Sequence, residues 1–325
     1  MRLTRAPGLS ARIIWLCVAL PLALVLTISC GGDSPKSEIS ASAVASVAQD
    51  EIVPIIVSSE LVVGPNRFVV GLIRDNQEVL GAEATMRFFK IDGHQPIFKS
   101  ESQARAVRVT KSYTEIHANG EVHTHEAGET GVYVANVNFE TPGEWDLQIN
   151  VKVGGQEFKP QRARFRVLQQ GLSPAIGAPA PASKQTVLTD VGGDISKLDT
   201  SNPPRPEFHG LTIATALASN KPTIIAFASP SFCVTRICGP AKQVLDSLYP
   251  RYREQANFIH IEPYLLEQTR SGRGLAPVPV MAEWGLKTEP WIFLLDRQGK
   301  VAAKYEGMAA LDEVEQALQQ VLAAR

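Results

Sequence analysis

The sequence carries almost no net charge: 32 basic side chains stand against 33 acidic ones in 325 residues. A chain this evenly balanced lacks the basic surface that nucleic acid or an acidic membrane attracts, so neither is expected as a partner. The hydrophobic fraction of 44% and the charged fraction of 20% are ordinary for a globular protein, and the length suits about two domains.

Several catalytic motifs are also missing. The chain has no Gly-rich phosphate loop, no Gly-x-Ser-x-Gly elbow and no His-Glu-x-x-His pair. It also lacks Cys-x-x-Cys. A peroxidase is disfavoured, because Pro230 stands where a threonine usually precedes the peroxidatic cysteine, here Cys233.

Apolar runs long enough to cross a membrane are scarce too. The longest, Ile13–Leu26, follows a basic N-terminus and is short for a span of about 20 residues. The segment Leu26-Thr27-Ile28-Ser29-Cys30 at the end of this run resembles a bacterial lipobox, although Thr27 replaces the usual aliphatic residue. The resemblance implies a signal peptide over residues 1–30, a lipid on Cys30, and a flexible tether over residues 31–50. A plain secretory signal and an uncleaved anchor helix are the alternatives, and all three place the chain outside the cytoplasm.

Cysteine is rare, with four residues in all. Cys17 leaves with the signal peptide and Cys30 carries the lipid, so only Cys233 and Cys238 remain. Two cysteines alone in an oxidising compartment normally pair.

Residues 51–168 alternate apolar with polar side chains in short runs separated by Gly, Pro and Asn. This pattern predicts an all-β sandwich. It resembles an immunoglobulin-type or copper-resistance-type extracellular domain at the level of pattern. A Gly- and Pro-containing linker follows over residues 169–182.

The remainder of the chain alternates predicted strands and helices, which indicates an α/β sheet with an antiparallel edge. The predicted order is strand Thr223–Ala228, helix Ala241–Tyr252, strand Asn257–Glu262, a loop with a short helix over Leu266–Trp284, strand Trp291–Asp296, strand Lys300–Glu306 and helix Leu311–Ala324.

The two remaining cysteines lie at the first strand-to-helix turn. Unpaired N–H groups and the helix dipole favour a thiolate at such a place, and Arg236 would add to this effect. A disulfide needs Cα atoms within about 7 Å, so Cys233 should lie in the loop. The helix should begin near Gly239, with Pro240 at its first position.

Residues 174–325 resemble membrane-tethered thioredoxin-fold proteins of the TlpA-like redoxin kind. The resemblance rests on Ile176–Pro181, on Cys238-Gly239-Pro240 and on Thr288–Gly299. It implies that Pro290 is a cis-proline facing the active cysteines. The spacing departs from the family, because Ala241 stands where a second cysteine would follow. Either Cys238 matches the attacking cysteine and Cys233 resolves, or Cys233 matches it and the turn is longer.

Glu289, next to Pro290, permits three interpretations. Its carboxylate opposes thiolate formation and tunes the reduction potential, or it pairs with Arg236, or it is a surface acid on a loop.

Histidines suggest a weaker metal hypothesis. Asn119-Gly120 predicts a two-residue hairpin turn that puts Glu121, His123 and His125 on one face and His117 on the other. At most two histidines and one carboxylate would then converge, which is a small ligand set for a copper or zinc site. The fold also resembles Sco-type copper chaperones. Those proteins use a late histidine, and no histidine follows His260 in this chain.

The sequence thus predicts an extracytoplasmic thiol–disulfide oxidoreductase that needs no cofactor beyond its own disulfide. Cys233, Cys238 and Pro290 are its catalytic candidates, and Arg236 and Glu289 tune them. Its partners would be client protein thiols or disulfides and a redox partner, with the membrane reached through the lipid. The alternatives are a Sco-like copper-binding protein and a non-catalytic lipoprotein with a structural disulfide.

Overall fold

The structure is a computed structural model that describes residues 51–116, 122–232 and 238–324. The predicted signal peptide, Cys30 and the tether lie outside these ranges. The described residues form one compact unit. We call residues 51–168 the β region and residues 174–324 the α/β region. The division into a domain over residues 51–168, a linker over residues 169–182 and a domain over residues 174–325 stays a prediction.

The β region contains strands and, within its described residues, no helix, as predicted. The strands are β1 Val53–Ile56, β2 Gly64–Arg74, β3 Gln77–Glu78, β4 Glu83–Asp92, β5 Gln95–Ile116, β6 Val122–Phe139, β7 Gly143–Val153, β8 Gln156–Glu157 and β9 Gln161–Val167. They form a single sheet in the order β1-β2-β6-β5-β4-β7-β8, with β3 beside β2 and β9 beside β7.

The long strand β5 connects the two halves of this sheet. Its first part pairs with β4, from Asp92↔Gln95 to Ala84↔Ala104, and its second part pairs with β6, starting at Arg105↔Val134. The prediction of a sandwich is therefore met only in part. The two halves enclose one core, but they belong to a continuous, nearly closed sheet and not to two separate ones.

Alternation along the strands builds that core, because every second side chain points to the same face. Phe68 and Phe88 meet edge to face with 5.1 Å between ring centroids, and Phe139 packs on Trp145 at 4.9 Å. Such pairs stabilise beyond the area they bury, by about 0.5–1.5 kcal/mol each.

The α/β region contains a four-stranded sheet with helices around it. Its elements are α1 Ile213–Ala218, β10 Thr223–Phe227, α2 Cys238–Tyr252, β11 Asn257–Ile261, α3 Leu266–Arg270, α4 Pro279–Glu283, β12 Trp291–Leu295, β13 Val301–Glu306 and α5 Leu311–Ala323. The sheet order is β11-β10-β12-β13, with β10 and β11 parallel and the other two pairs antiparallel. The predicted α/β sheet with an antiparallel edge is confirmed.

Strand β10 explains why its sequence reads as a continuous apolar run. All five of its residues are buried. Ile224 and Ala226 enter one core cluster, and Ile225 and Phe227 enter the cluster on the opposite face of the sheet. A strand covered on both faces needs apolar residues at every position.

Predicted and observed boundaries differ by one to three residues for most of these elements. Helix α2 begins at Cys238, three residues before the predicted Ala241, so Pro240 is its third residue. Proline is tolerated in the first turn because the N–H groups there have no partner within the helix. The predicted single short helix over Leu266–Trp284 is instead the pair α3 and α4.

The β region and the α/β region contact each other closely. Arg67 donates to both carboxylate oxygens of Glu313, at 2.7 and 3.0 Å, and to the carbonyl of Met308 at 2.8 Å. Lys304 Nζ lies 3.1 Å from Glu60 Oε1. An apolar cluster buries the Met308 side chain among strand residues of the β region: Val69, Val107, Val132 and Val134.

A second contact involves the longest hairpin of the β region. Cα atoms of β5 come within 8 Å of Cα atoms of α2. None of the helices in the described ranges has the length and hydrophobicity that crossing a membrane requires.

Candidate functional site

The predicted cysteine turn lies at one end of β10. The strand ends at Phe227, and α2 begins at Cys238. The backbone of Cys238 is therefore at a helix N-terminus, as the sequence predicts. Cys233 and Arg236 lie outside the described residues, as does the side chain of Cys238, so the pairing of the cysteines stays a prediction.

Pro290 reaches the same end of the sheet. Phe227 is the last residue of β10 and pairs with Trp291, the first residue of β12. The chain therefore leaves β10 and enters β12 at the same end of the sheet. The Glu289–Pro290 peptide is cis. Pro290 is buried.

Glu289 is buried as well, with 8% of its surface exposed. The interpretation as a surface acid on a loop is therefore wrong. Tyr264 donates a hydrogen bond to Glu289 Oε1 at 3.2 Å. Burial, followed by the charge of Glu289, raises the pKa of Tyr264 to about 12. Arg236 lies outside the described residues, so the predicted pairing of Glu289 with Arg236 stays a prediction.

A cluster of buried polar side chains lies next to the end of β10. We call Asp199, His209 and His260 the Asp-His-His cluster. The side chain of His209 is 3% exposed, and those of Asp199 and His260 are fully buried. His209 Nε2 lies 3.3 Å from Asp199 Oδ2, and His260 Nδ1 lies 3.7 Å from Asp199 Oδ1. The potential ligand atoms of all three residues lie within 4.8 Å of one another.

Backbone groups hold this cluster in place. His260 lies on β11, and its Nε2 is 2.8 Å from the carbonyl oxygen of Ala228, the residue after β10. Asp199 accepts backbone N–H bonds from Ser201 at 2.8 Å and from Arg205 at 2.9 Å. Three chain segments therefore converge here: the loop after residue 198, the end of β10 and the middle of β11.

A second buried carboxylate, Glu262, lies just beyond β11. Its Oε1 accepts the Thr200 N–H at 2.8 Å and the Thr200 hydroxyl. Its Oε2 is buried and makes no hydrogen bond of ordinary geometry to a described residue, although the Ser229 hydroxyl interacts with this carboxyl group. The same holds for Ser229 Oγ and for His260 Nδ1, which interacts with Asp199. Buried polar atoms without partners are rare in folded proteins and call for an explanation.

Burial and charge act in opposite directions in this cluster. Burial alone would raise the pKa of Asp199, but His209 and His260 hold it well below its usual value. Burial lowers the pKa of His209. Burial also opposes the charging of His260, yet Asp199 and the charge of Glu262 outweigh it and raise its pKa. Burial raises the pKa of Glu262.

A cavity of about 240 Å³ adjoins this cluster, and His209 and His260 are among the residues that line it. Glu262, Tyr264, Leu266 and Val280 line it as well. Tyr264 also donates a hydrogen bond to Glu289.

The sequence pattern did not reveal the Asp-His-His cluster. His209 and His260 attract attention as the histidines of the α/β region, but their common partner Asp199 stands in a polar loop without periodicity. The available signal was the interruption of the apolar strand Asn257–Ile261 by a histidine, since a buried histidine needs a polar partner.

The hairpin histidines fall largely outside the described residues. Strand β5 ends at Ile116 and β6 begins at Val122, with the backbone of His123 opposite Glu115 and that of His125 opposite Tyr113. Glu121 and His117 lie in the gap, and the side chains of His123 and His125 are not described. The predicted hairpin metal site stays a prediction.

No family model and no curated protein matches this chain. Among solved structures, a thiol:disulfide interchange protein of the thioredoxin family from Chlorobium tepidum TLS is 16% identical and has a TM-score of 0.24. The match covers 33% of this chain and 84% of the other. A second protein from Chlorobium tepidum, named as thiol:disulfide interchange protein DsbE, is 17% identical with a TM-score of 0.25, over 33% and 85% of the two chains. At these scores the likeness carries no argument about mechanism.

Proposed function

We propose that this protein is an extracytoplasmic thiol–disulfide oxidoreductase that uses Cys233 and Cys238. The observation that supports this most is the pairing of Phe227 with Trp291. Because β10 leads to Cys238 and Pro290 precedes β12, a thiolate at the start of α2 and a groove beside Pro290 would share one edge of the sheet.

The helix start suits the attacking role of Cys238. The first N–H groups of α2 have no partner within the helix, and the helix dipole is positive at this end, so a thiolate there is stabilised. A structural disulfide gains nothing from this position, whereas a nucleophile does.

The exchange proceeds in two steps. The Cys238 thiolate attacks one sulfur of a client disulfide, a mixed disulfide forms, and the other client sulfur leaves as a thiolate. The Cys233 thiolate then attacks Cys238 sulfur, the second client sulfur leaves, and the Cys233–Cys238 disulfide remains. Two electrons pass to the client, whose thiolates take up protons, and a partner dithiol reduces the disulfide again. The reverse sequence oxidises a client dithiol.

The remaining assignments belong to the same proposal. Lipidation of Cys30 would hold the protein on the outer face of the membrane, and the β region would position the client. The contact between β5 and α2 supports this role of the β region, because it brings part of that region beside the helix that begins at Cys238.

The test is the reduction potential of the cysteine pair in the full chain, held in detergent. Peptides that contain Cys233 or Cys238 are quantified by differential alkylation and mass spectrometry across glutathione and dithiothreitol redox buffers. We expect a potential between about −270 and −120 mV, the range of known oxidoreductases. A potential below about −300 mV would identify a structural disulfide and overturn the proposal.

The matched controls are Cys233→Ser and Cys238→Ser. In Cys233→Ser, a nucleophilic Cys238 should trap a client or glutathione as a stable mixed disulfide, because no resolving thiol remains. Cys238→Ser should trap less. Equal trapping by the two variants would contradict the assignment of Cys238 as the attacking residue.

A further inference from the structure

The Asp-His-His cluster contains groups whose hydrogen bonding is incomplete. In charge-assisted hydrogen bonds, the distance between the nitrogen and the carboxylate oxygen is typically about 2.7–2.9 Å. The distances from Asp199 to His209 and His260 are 3.3 and 3.7 Å, so the first is long and the second exceeds a hydrogen bond. A cluster shaped only to bond its own members would be tighter.

The hydrogen bond of His260 to the backbone determines which of its ring nitrogens carries the proton. The carbonyl of Ala228 can only accept, so His260 Nε2 carries a proton and donates it at 2.8 Å. When the ring is neutral, the lone pair is on Nδ1. That atom is buried and lies 3.7 Å from Asp199 Oδ1, too far for an ordinary hydrogen bond. A histidine whose other nitrogen donates to a backbone carbonyl is arranged as metal-ligating histidines are.

The three residues can each offer a ligand atom to one ion, because these atoms lie within 4.8 Å of one another. Zn²⁺ binds histidine nitrogen and carboxylate oxygen at about 2.0–2.2 Å, which puts neighbouring tetrahedral ligands about 3.3–3.6 Å apart. Asp199 Oδ2 lies 3.3 Å from His209 Nε2, within this range, and Asp199 Oδ1 lies 3.7 Å from His260 Nδ1, slightly beyond it.

The surroundings also suit an ion. The Ser201 and Arg205 amides fix the Asp199 carboxylate, which is the supporting contact that metal-ligating carboxylates usually have. A cavity lined by His209, His260 and Glu262 adjoins the cluster. Glu262 adds a second buried carboxyl group to the lining of this cavity.

We propose that Asp199, His209 and His260 bind a divalent transition-metal ion, and a donor set of two imidazoles and one carboxylate favours Zn²⁺. This site involves neither cysteine of the turn and none of the hairpin histidines. It stands or falls independently of the proposed redox function.

The test uses the full chain in detergent with all four cysteines changed to serine, because thiolates bind Zn²⁺ themselves. Zinc binding to this host is measured by competition with a chromophoric chelator, and bound metal is counted by mass spectrometry. We expect one Zn²⁺ per chain. Asp199→Asn and His209→Gln should each weaken binding by about 100-fold or more, since loss of even a supporting contact costs about 10–100-fold.

The matched control is the His123→Ala/His125→Ala variant of the same host, which removes the other candidate histidines. It should bind Zn²⁺ within about twofold of the host, because it keeps all three residues of the Asp-His-His cluster. No zinc binding by the host at micromolar metal would overturn the proposal. Loss of binding in the control, with Asp199→Asn unaffected, would overturn it as well.

A second measurement needs no ligand variant and therefore applies even if Asp199→Asn or His209→Gln fails to fold. X-ray absorption of the zinc-loaded host should show two imidazole ligands and oxygen ligands at about 2.0–2.2 Å. Co²⁺ in place of Zn²⁺ should give the visible absorption of a tetrahedral site without a sulfur charge-transfer band. A spectrum with water ligands alone would refute the site.

Discussion

Arg67→Met tests whether the contact between the β region and the α/β region contributes to folding. The change keeps most of the apolar side chain and removes the charge and three hydrogen bonds, two to Glu313 and one to the Met308 carbonyl. The Arg67 and Glu313 side chains are only 12% and 19% exposed, so water screens the pair weakly.

Removing one partner of a buried ion pair costs about 3–5 kcal/mol. Glu313 keeps a second cation, since Arg105 Nη2 lies 3.1 Å from its Oε2. We therefore expect the lower end, a loss of about 3 kcal/mol in the free energy of unfolding of the full chain, measured by urea denaturation in detergent.

A double-mutant cycle with Glu313→Gln isolates the pair. We expect a coupling energy of about 2 kcal/mol, within the range for residues in contact. The control pair is Arg87→Met with Glu101→Gln, at 3.0 Å, with side-chain exposures of 35% and 52%, and wholly inside the β region. Its coupling should stay below about 1 kcal/mol, as for exposed pairs. A coupling below about 0.5 kcal/mol for Arg67 and Glu313 would refute the reasoning.

Three further changes test other parts of the structure. Met308→Ala should lower the free energy of unfolding by about 2–5 kcal/mol in urea, because it leaves a cavity between the regions, and unchanged stability would contradict that packing. Glu60 has a pKa below its usual value, because hydrogen bonds from Ser173 and the charge of Lys304 outweigh burial. Its contribution is therefore complete above the unfolded pKa of about 4.3 and is lost as the pH falls through the lower folded value. The stability difference between the native chain and Glu60→Gln should shrink on acidification, and a constant difference from pH 7 to pH 3 would contradict this. Tyr264→Phe should remove one tyrosine that ionises near pH 12 from the ultraviolet titration; loss of a group that ionises near pH 10 would be inconsistent with its contact to Glu289.

The sequence predicts best those elements whose pattern is local. The run Thr223–Phe227 is apolar at every position because both faces of β10 are covered, and a run of that kind is recognisable in one dimension. The last helix likewise follows from a local pattern, and α5 ends one residue before the predicted Ala324. Its apolar stripe consists of Leu311, Val314, Leu318, Val321 and Leu322.

The candidate metal site and the contact between regions depend on long-range geometry. Arg67 and Glu313 are 246 positions apart, and neither stands in a pattern that points to the other. Asp199 becomes a potential ligand only when its loop reaches β11, 61 positions along the chain at His260. Single polar residues in loops have no period, so their partners cannot be inferred from spacing.

If the proposed exchange takes place at Cys238, the approach of β5 to α2 would affect its kinetics. Helix α2 has 15 residues and is about 22 Å long, so every point on it lies within that distance of Cys238. A client bound to the β5–β6 hairpin would be confined to a volume of nanometre size around the helix. Confinement of this kind corresponds to a millimolar effective concentration. The hairpin would then turn a bimolecular encounter between thiol and disulfide into an intramolecular one, and weak affinity for the client would suffice.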